Sequence, residues 1–173
     1  MKSTTTLKRK VSEVNSQMSR GSYSAALQAV ESLLDQWPGA APLHILRAEL
    51  IQLGDESGPS LDEAKKSLAE ALKADPNSIE ALIEQGHFQF AVDDDAKAAA
   101  KTFEKAIAAS AKMLVAALLG RAAALAELDR RQEAFDCLAH AQRLQNSNGA
   151  LKSVAASNPE TILTLWESIS PTS

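Results

Sequence analysis

Residue types that most often carry chemistry are few in this sequence and lie far apart. The three histidines are His44, His87 and His140. Cys137 and His140 lie three positions apart, so on one helix they would share a face and offer two metal ligands. A structural zinc site needs four ligands, and no second pair lies nearby in the sequence. Core packing or chance is therefore the better interpretation of this pair.

Three consecutive carboxylates, Asp93 to Asp95, form the second candidate site. A site for a hard cation uses spaced oxygen ligands, usually with a glycine that bends the loop. We interpret this run instead as a solvated cluster at a helix start, where the helix dipole favours negative charge. The sequence also has no glycine-rich phosphate loop and no nucleophile motif. We therefore expect a protein that is not an enzyme and that holds no metal and no cofactor.

Length and composition favour one soluble domain or one short solenoid. The 173 residues are 45% hydrophobic, which is enough for a core, and the net charge of −4 gives no overall attraction to nucleic acid. The basic N-terminal residues Lys8, Arg9 and Lys10 fit the solvated face of a first helix. We find neither a secretory signal nor an apolar run of membrane-span length. The expectation is a cytoplasmic protein with no nucleic-acid or membrane partner.

A small residue recurs at one position in four helical segments. Successive copies lie 38, 35 and 35 positions apart, and each is followed four and seven residues later by an apolar residue on the same helix face. The four sets are Ala26, Val30 and Leu33; Ala64, Leu68 and Ala71; Ala99, Phe103 and Ala106; and Ala134, Leu138 and Ala141. Pro38 and Pro76 each stand twelve residues after the alanine of their copy. The pattern predicts four similar helical hairpins.

On these residues the chain resembles the tetratricopeptide repeat (TPR) family, whose unit is a helical hairpin of about 34 residues. The resemblance implies an all-α, right-handed solenoid of about four antiparallel hairpins, covering residues 5–38, 41–76, 78–110 and 112–146. A C-terminal capping helix and tail would then span residues 149–173, with Asn158 and Pro159 as start signals and Trp166 packed on the fourth hairpin. The alternative for this tail is a helix that docks on a partner or on a second copy of the chain. The chain lacks the family's tryptophan in the first helix of each hairpin.

Two residues of the third hairpin predict a close helix contact. Gly86 stands in the middle of a helix, where glycine costs about 1 kcal/mol relative to alanine, so another helix should pass close by. Phe103 is the largest residue at its repeat position, and we expect it to be buried between its own hairpin and the next. In the other hairpins the site of Gly86 is filled by Val14, Ala48 and Ala122.

Three sequence signals predict helix starts. Asn77, with Glu80 three residues on, is the expected N-cap of the helix that carries Gly86. Ser60 and Glu63 are expected to form a capping box. Asp129 is expected to cap the second helix of the fourth hairpin.

The resemblance also implies a concave binding face lined by the first helix of each hairpin. The residues that it assigns to this face are Val11, Asn15, Met18, Ile45, Glu49, Gln52, Ile83, His87, Phe90, Leu119, Ala123 and Ala126. The family's clamp for acidic chaperone C-termini uses lysines, arginines and asparagines on this face. Here the positions are mostly apolar, which suits an amphipathic helix or an extended hydrophobic segment.

The function we expect is therefore that of a non-enzymatic module that binds a peptide or helix of another protein. Three alternatives stay open. The same apolar surfaces could form a homo-oligomeric assembly or scaffold, or the chain could be a small secretion-type TPR chaperone. Alternatively, neighbouring hairpins or the tail could bury some of these apolar residues.

Overall fold

The computed structural model describes residues 4–55 and 58–147, which form helices joined by turns. The helices are α1 (Thr4–Ser19), α2 (Tyr23–Leu34), α3 (Ala41–Leu53), α4 (Leu61–Ala74), α5 (Ile79–Ala91), α6 (Ala96–Glu127) and α7 (Arg131–Ser147). No strand occurs in these two ranges, so the predicted all-α class is confirmed for them. The predicted capping helix with Trp166 lies outside the described residues.

The main departure from the predicted hairpins is α6, a single helix of 32 residues. From the sequence we expect one helix to end near residue 110 and a new helix to begin at about residue 112. No glycine or proline occurs between residues 106 and 119, so nothing there interrupts the helical hydrogen bonds. Ala111 stands twelve residues after Ala99, where the earlier copies have Pro38 and Pro76. Neither a proline nor a glycine therefore ends the helix at the predicted position, and α6 continues to Glu127.

The continuous α6 is also long enough to be compared with a membrane-spanning helix. Among the residues that the structure describes, it is the one helix long and apolar enough to cross a membrane, judged by length and composition alone. The sequence predicts two shorter helices in this stretch and no apolar segment of membrane-span length. Core helices of soluble proteins pass the same test.

Contacts divide the chain into a first unit, Met1–Ala106, and a second unit, Ile107–Ser173. In the first unit each of the helices α1 to α5 packs on the next, and α3 packs on α5 as well. The recurring alanines Ala26, Ala64 and Ala99 are at most 2% exposed. Val14 and Ala48 are equally buried in the helices that face them. Small side chains at these points let the helix axes come close together.

The second unit has a core of its own between the C-terminal part of α6 and α7. Its buried residues are Val115, Leu118, Ala122, Leu125, Ala134, Cys137, Leu138 and Ala141. Cys137 is thus a core residue, whereas His140 is exposed. The described residues contain no group of three or more potential metal ligands.

Turns of one type recur before three of the four alanines. Gly21, Asp94 and Asp129 have φ angles of 74°, 52° and 56°, and each lies five residues before its alanine. Glycine adopts this left-handed conformation freely, and aspartate is among the few other residues that tolerate it. The second copy has Pro59 at this position, after a longer loop.

Two of the predicted helix starts are wrong. Ser78, not Asn77, is the N-cap of α5, and its hydroxyl accepts a hydrogen bond from the backbone N–H of Ala81 at 3.3 Å. Asp129 does not cap α7, because its carboxylate instead accepts a hydrogen bond from Arg131 Nε at 2.9 Å. Within the acidic turn, Asp95 has a capping role, since its carboxylate accepts from the backbone N–H of Ala98 at 2.9 Å.

The third predicted start is right in position but lacks the capping box. Ser60 is the N-cap of α4, yet its side chain makes no capping hydrogen bond. The carboxylate of Glu63 is held by Arg47 of α3, with Nη2 and Oε2 2.6 Å apart. Arg47 also donates hydrogen bonds to Ser67 of α4 at 2.9 Å and to Glu31 of α2 at 3.3 Å. A half-buried guanidinium therefore ties α3 to both neighbouring helices.

Candidate functional site

The contact between Gly86 and Phe103 orients α5. A Cβ atom added at Gly86 would lie 2.7 Å from Cε1 of Phe103, so only glycine leaves room for this ring. The predicted close approach at Gly86 is confirmed. Phe103 itself is half-buried, not fully buried as expected. Its ring also makes an edge contact with His87, with ring centroids 5.2 Å apart and an interplanar angle of 73°.

Beside this contact on α5, three predicted binding residues form an exposed stripe, which we call the α5 face. It consists of Ile83, His87 and Phe90, spaced four and three residues apart. Ile83 is 36% and Phe90 is 62% exposed, and His87 is exposed as well. Large apolar side chains presented together in this way are typical of a surface that meets another molecule.

Three carboxylates lie beside the α5 face, and we call them the acidic cluster. Glu80 and Glu84 belong to α5, and Glu49 belongs to α3, which packs on α5. Burial raises the pKa of the half-buried Glu49, and the negative charges of Glu84 and Glu80 raise it further. No cation in the described ranges forms an ion pair with any member of the cluster.

Glu80 and Glu84 were missed by the sequence analysis as site residues. A helical signal for them exists, because Glu80, Ile83, Glu84 and His87 recur at three- and four-residue spacings and so share one side of α5. No sequence pattern predicts that Glu80 and Glu84 lie near Glu49. This proximity depends on how α3 packs on α5.

The other predicted residues of the first unit have diverse environments. Val11 and Met18 are half-buried against the core of α1 and α2, and Asn15 is exposed. Ile45 is only 4% exposed and packs with Ala71 and Ala81, so it offers almost no surface to a partner. Gln52 donates a hydrogen bond to the backbone oxygen of Ala48 at 3.2 Å.

The predicted residues of the second unit are Leu119, Ala123 and Ala126, all half-buried on α6. Leu119 and Ala126 pack against the core of that unit. Among the predicted residues, Glu49 therefore lies near the residues of α5. Leu119, Ala123 and Ala126 belong to the second compact unit.

A cleft in the described part of the first unit lies elsewhere. It has a volume of about 710 Å³ and lies between the start of α2 and the end of α3. Tyr23, Leu27 and Ile51 contribute its apolar lining. None of the predicted binding residues lines it, so the α5 face and this cleft are different places.

We expect Glu49→Gln to stabilise the protein at about pH 7. Because the folded-state pKa of Glu49 is raised, ionisation costs folding free energy once the pH exceeds that pKa. The penalty disappears as the pH falls below the unfolded-state pKa, and glutamine mimics the neutral acid throughout. Denaturant unfolding at about pH 7 and about pH 4.5 should therefore show a gain in stability that shrinks on acidification.

The matched control for this prediction is Glu70→Gln. Glu70 is exposed on α4 and pairs with Lys73 at 3.1 Å, so its replacement should bring no gain at neutral pH. An equal gain from both variants would contradict the account of Glu49.

Comparison with known proteins adds no identification. No protein-family profile matches the chain, and no curated protein is significantly similar to it in sequence. The resemblance to the tetratricopeptide family stays a prediction that rests on the residues quoted above.

Proposed function

We propose that this chain is a non-enzymatic binding module of tetratricopeptide type, which holds a helix or peptide of a partner protein against the α5 face. The observation that carries the proposal is the exposure of Ile83, His87 and Phe90 on α5, a helix held in place by the adjoining contact between Gly86 and Phe103. An apolar groove or stripe of this kind is a common binding site for an amphipathic helix.

Support for the repeat architecture comes from the first unit. The recurring alanines are buried, and the left-handed turn residues Gly21 and Asp94 stand at the same repeat position. The continuous α6 departs from a series of separate hairpins. The proposal of a solenoid therefore rests on the three hairpins from α1 to the first part of α6.

The test is to place negative charge on the α5 face. Ile83→Asp combined with Phe90→Asp should leave the melting temperature close to that of the wild type, because both side chains are exposed in the free protein. Docking of an apolar segment would then bury two unpaired carboxylates, which costs several kcal/mol. We expect quantitative pull-downs from native extract to lose the partner, with a decrease in capture of about a hundredfold or more.

Leu53→Asp combined with Leu61→Asp is the control, because it adds the same two charges at leucines of α3 and α4 that are 51% and 46% exposed in the same unit. It should retain full capture. Unfolding of the double variant would show that the α5 face is part of the core. Full capture by a folded double variant would show that binding uses another face.

Self-association is a second candidate function, favoured by a different observation. Ile107 and Met113 of α6 are 56% and 66% exposed, and Leu114 is exposed as well. Such residues could join two copies of the chain. Sedimentation equilibrium at several concentrations distinguishes the candidates, because a dimer that dissociates with Met113→Asp would support assembly through α6.

A further inference from the structure

We infer that the segment bound by the α5 face is a cationic amphipathic helix from another protein. Its apolar residues would contact Ile83 and Phe90, and its lysine or arginine side chains would meet the acidic cluster. This inference rests on the proposed binding function and adds the chemistry of the partner.

The acidic cluster combines uncompensated negative charge with the half-burial of Glu49 and Glu84. Arg47 binds Glu31 and Glu63, and Lys65 binds Asp93 at 2.7 Å, whereas exposed carboxylates such as Asp62 and Glu104 make no ion pair with the described residues but stand singly in solvent. Glu49, Glu80 and Glu84 likewise have no ion-pair partner among the described residues. Because the half-buried carboxylates of the cluster lie beside the apolar α5 face, a cation carried by a docking segment would find its partners there.

The free energy needed to remove water from the carboxylates of the acidic cluster determines which charge the partner should carry. A docking segment removes water from the half-buried Glu49 and Glu84, which raises the free energy of both carboxylates unless a cation pairs with them. Burial already raises the pKa of Glu49, and the repulsion by Glu84 and Glu80 raises it further. A cationic segment offsets both costs, a neutral segment offsets neither, and an acidic segment adds repulsion.

The length of the apolar stripe matches that of a helix. Ile83 and Phe90 lie seven residues apart on α5, a distance of about 10 Å along the axis. Apolar residues at positions i, i+3 or i+4, and i+7 of a partner helix span the same distance. Basic residues on the flank of that stripe would then lie beside Glu80 and Glu84.

The experiment uses two synthetic fluorescent peptides with one amphipathic leucine pattern, one bearing lysines and the other bearing glutamates at the polar positions. Fluorescence anisotropy with the full chain measures binding at about 0.05 M and about 0.5 M salt. The lysine peptide should bind at least about tenfold more tightly than the glutamate peptide at low salt, and high salt should reduce this preference. The triple variant Glu49→Gln, Glu80→Gln and Glu84→Gln should weaken binding of the lysine peptide about tenfold.

A second triple variant controls for net charge. Asp62→Asn, Glu70→Gln and Glu104→Gln neutralise three exposed carboxylates on α4 and α6 of the first unit. This variant has the same net charge as the first and should bind the lysine peptide like the wild type. Equal weakening by both triple variants would overturn the inference, because the peptide would then respond only to overall charge.

The variant Ile83→Asp separates failure of this inference from failure of the binding function. If both peptides bind equally and Ile83→Asp weakens both, the α5 face binds helices but has no preference for cations, which overturns the inference alone. If Ile83→Asp leaves lysine-peptide binding unchanged, or if neither peptide binds, the inference is also overturned. In these last cases the pull-downs with the double aspartate variant decide separately whether the proposed function stands.

Discussion

Ala111→Pro should destabilise the protein by about 3 kcal/mol or more. Ala111 is buried in the interior of α6, fifteen residues after its first residue, Ala96. Proline there removes a helical hydrogen bond donor, and its ring clashes with the carbonyl of Ile107 one turn earlier. The loss is a large part of a typical total stability of 5–15 kcal/mol. Denaturant unfolding followed by circular dichroism measures both the stability and the helix content.

This variant distinguishes a continuous α6 from two hairpins that meet at residue 111. Pro38 and Pro76 occupy the corresponding position in the first two copies, both outside helices. Ala111→Gly serves as the control and should cost only about 1 kcal/mol. Wild-type stability of Ala111→Pro would show that a turn, and not a helix interior, lies at residue 111.

A double-mutant cycle at Gly86 and Phe103 should show a coupling of about 2 kcal/mol. Phe103→Ala alone should cost about 2 kcal/mol, less than the 3–5 kcal/mol of a fully buried ring, because Phe103 is half-buried. Gly86→Ala alone should cost about 1 kcal/mol, since overlap with the ring outweighs the gain in helix propensity. In the Phe103→Ala background the same change should instead stabilise by about 1 kcal/mol.

Gly120 supplies a matched control within α6. A Cβ atom added at Gly120 has no atom within 4 Å, so Gly120→Ala should stabilise the protein by about 1 kcal/mol in any background. Denaturant unfolding of the four cycle members and the control gives all the required free energies. Stabilisation of the wild type by Gly86→Ala, to the same extent as by Gly120→Ala, would contradict the close contact between α5 and α6.

Local sequence patterns were sufficient for the helical class and for the residues that face the cores. Helical spacing at Ala64, Leu68 and Ala71 shows which side of α4 is buried, because an amphipathic helix has one apolar stripe. Gly86 likewise predicts the close approach of another helix, since a mid-helix glycine has an energetic cost that a packing contact can offset. The length of α6 was also within reach of the sequence. The absence of proline at Ala111 is consistent with a continuous helix, whereas the repeat length of about 34 residues predicts a break there.

Only the tertiary structure decided which side chains meet between helices. Glu63 was expected to cap its own helix and instead pairs with Arg47, which lies on α3. Ile45 was expected on the binding surface and is buried between α4 and α5. Glu49 meets Glu80 and Glu84 although at least 31 positions separate them in the chain. The physical reason is that periodicity specifies the buried side of each helix, whereas the axial position and rotation of packed helices determine the neighbours of each side chain.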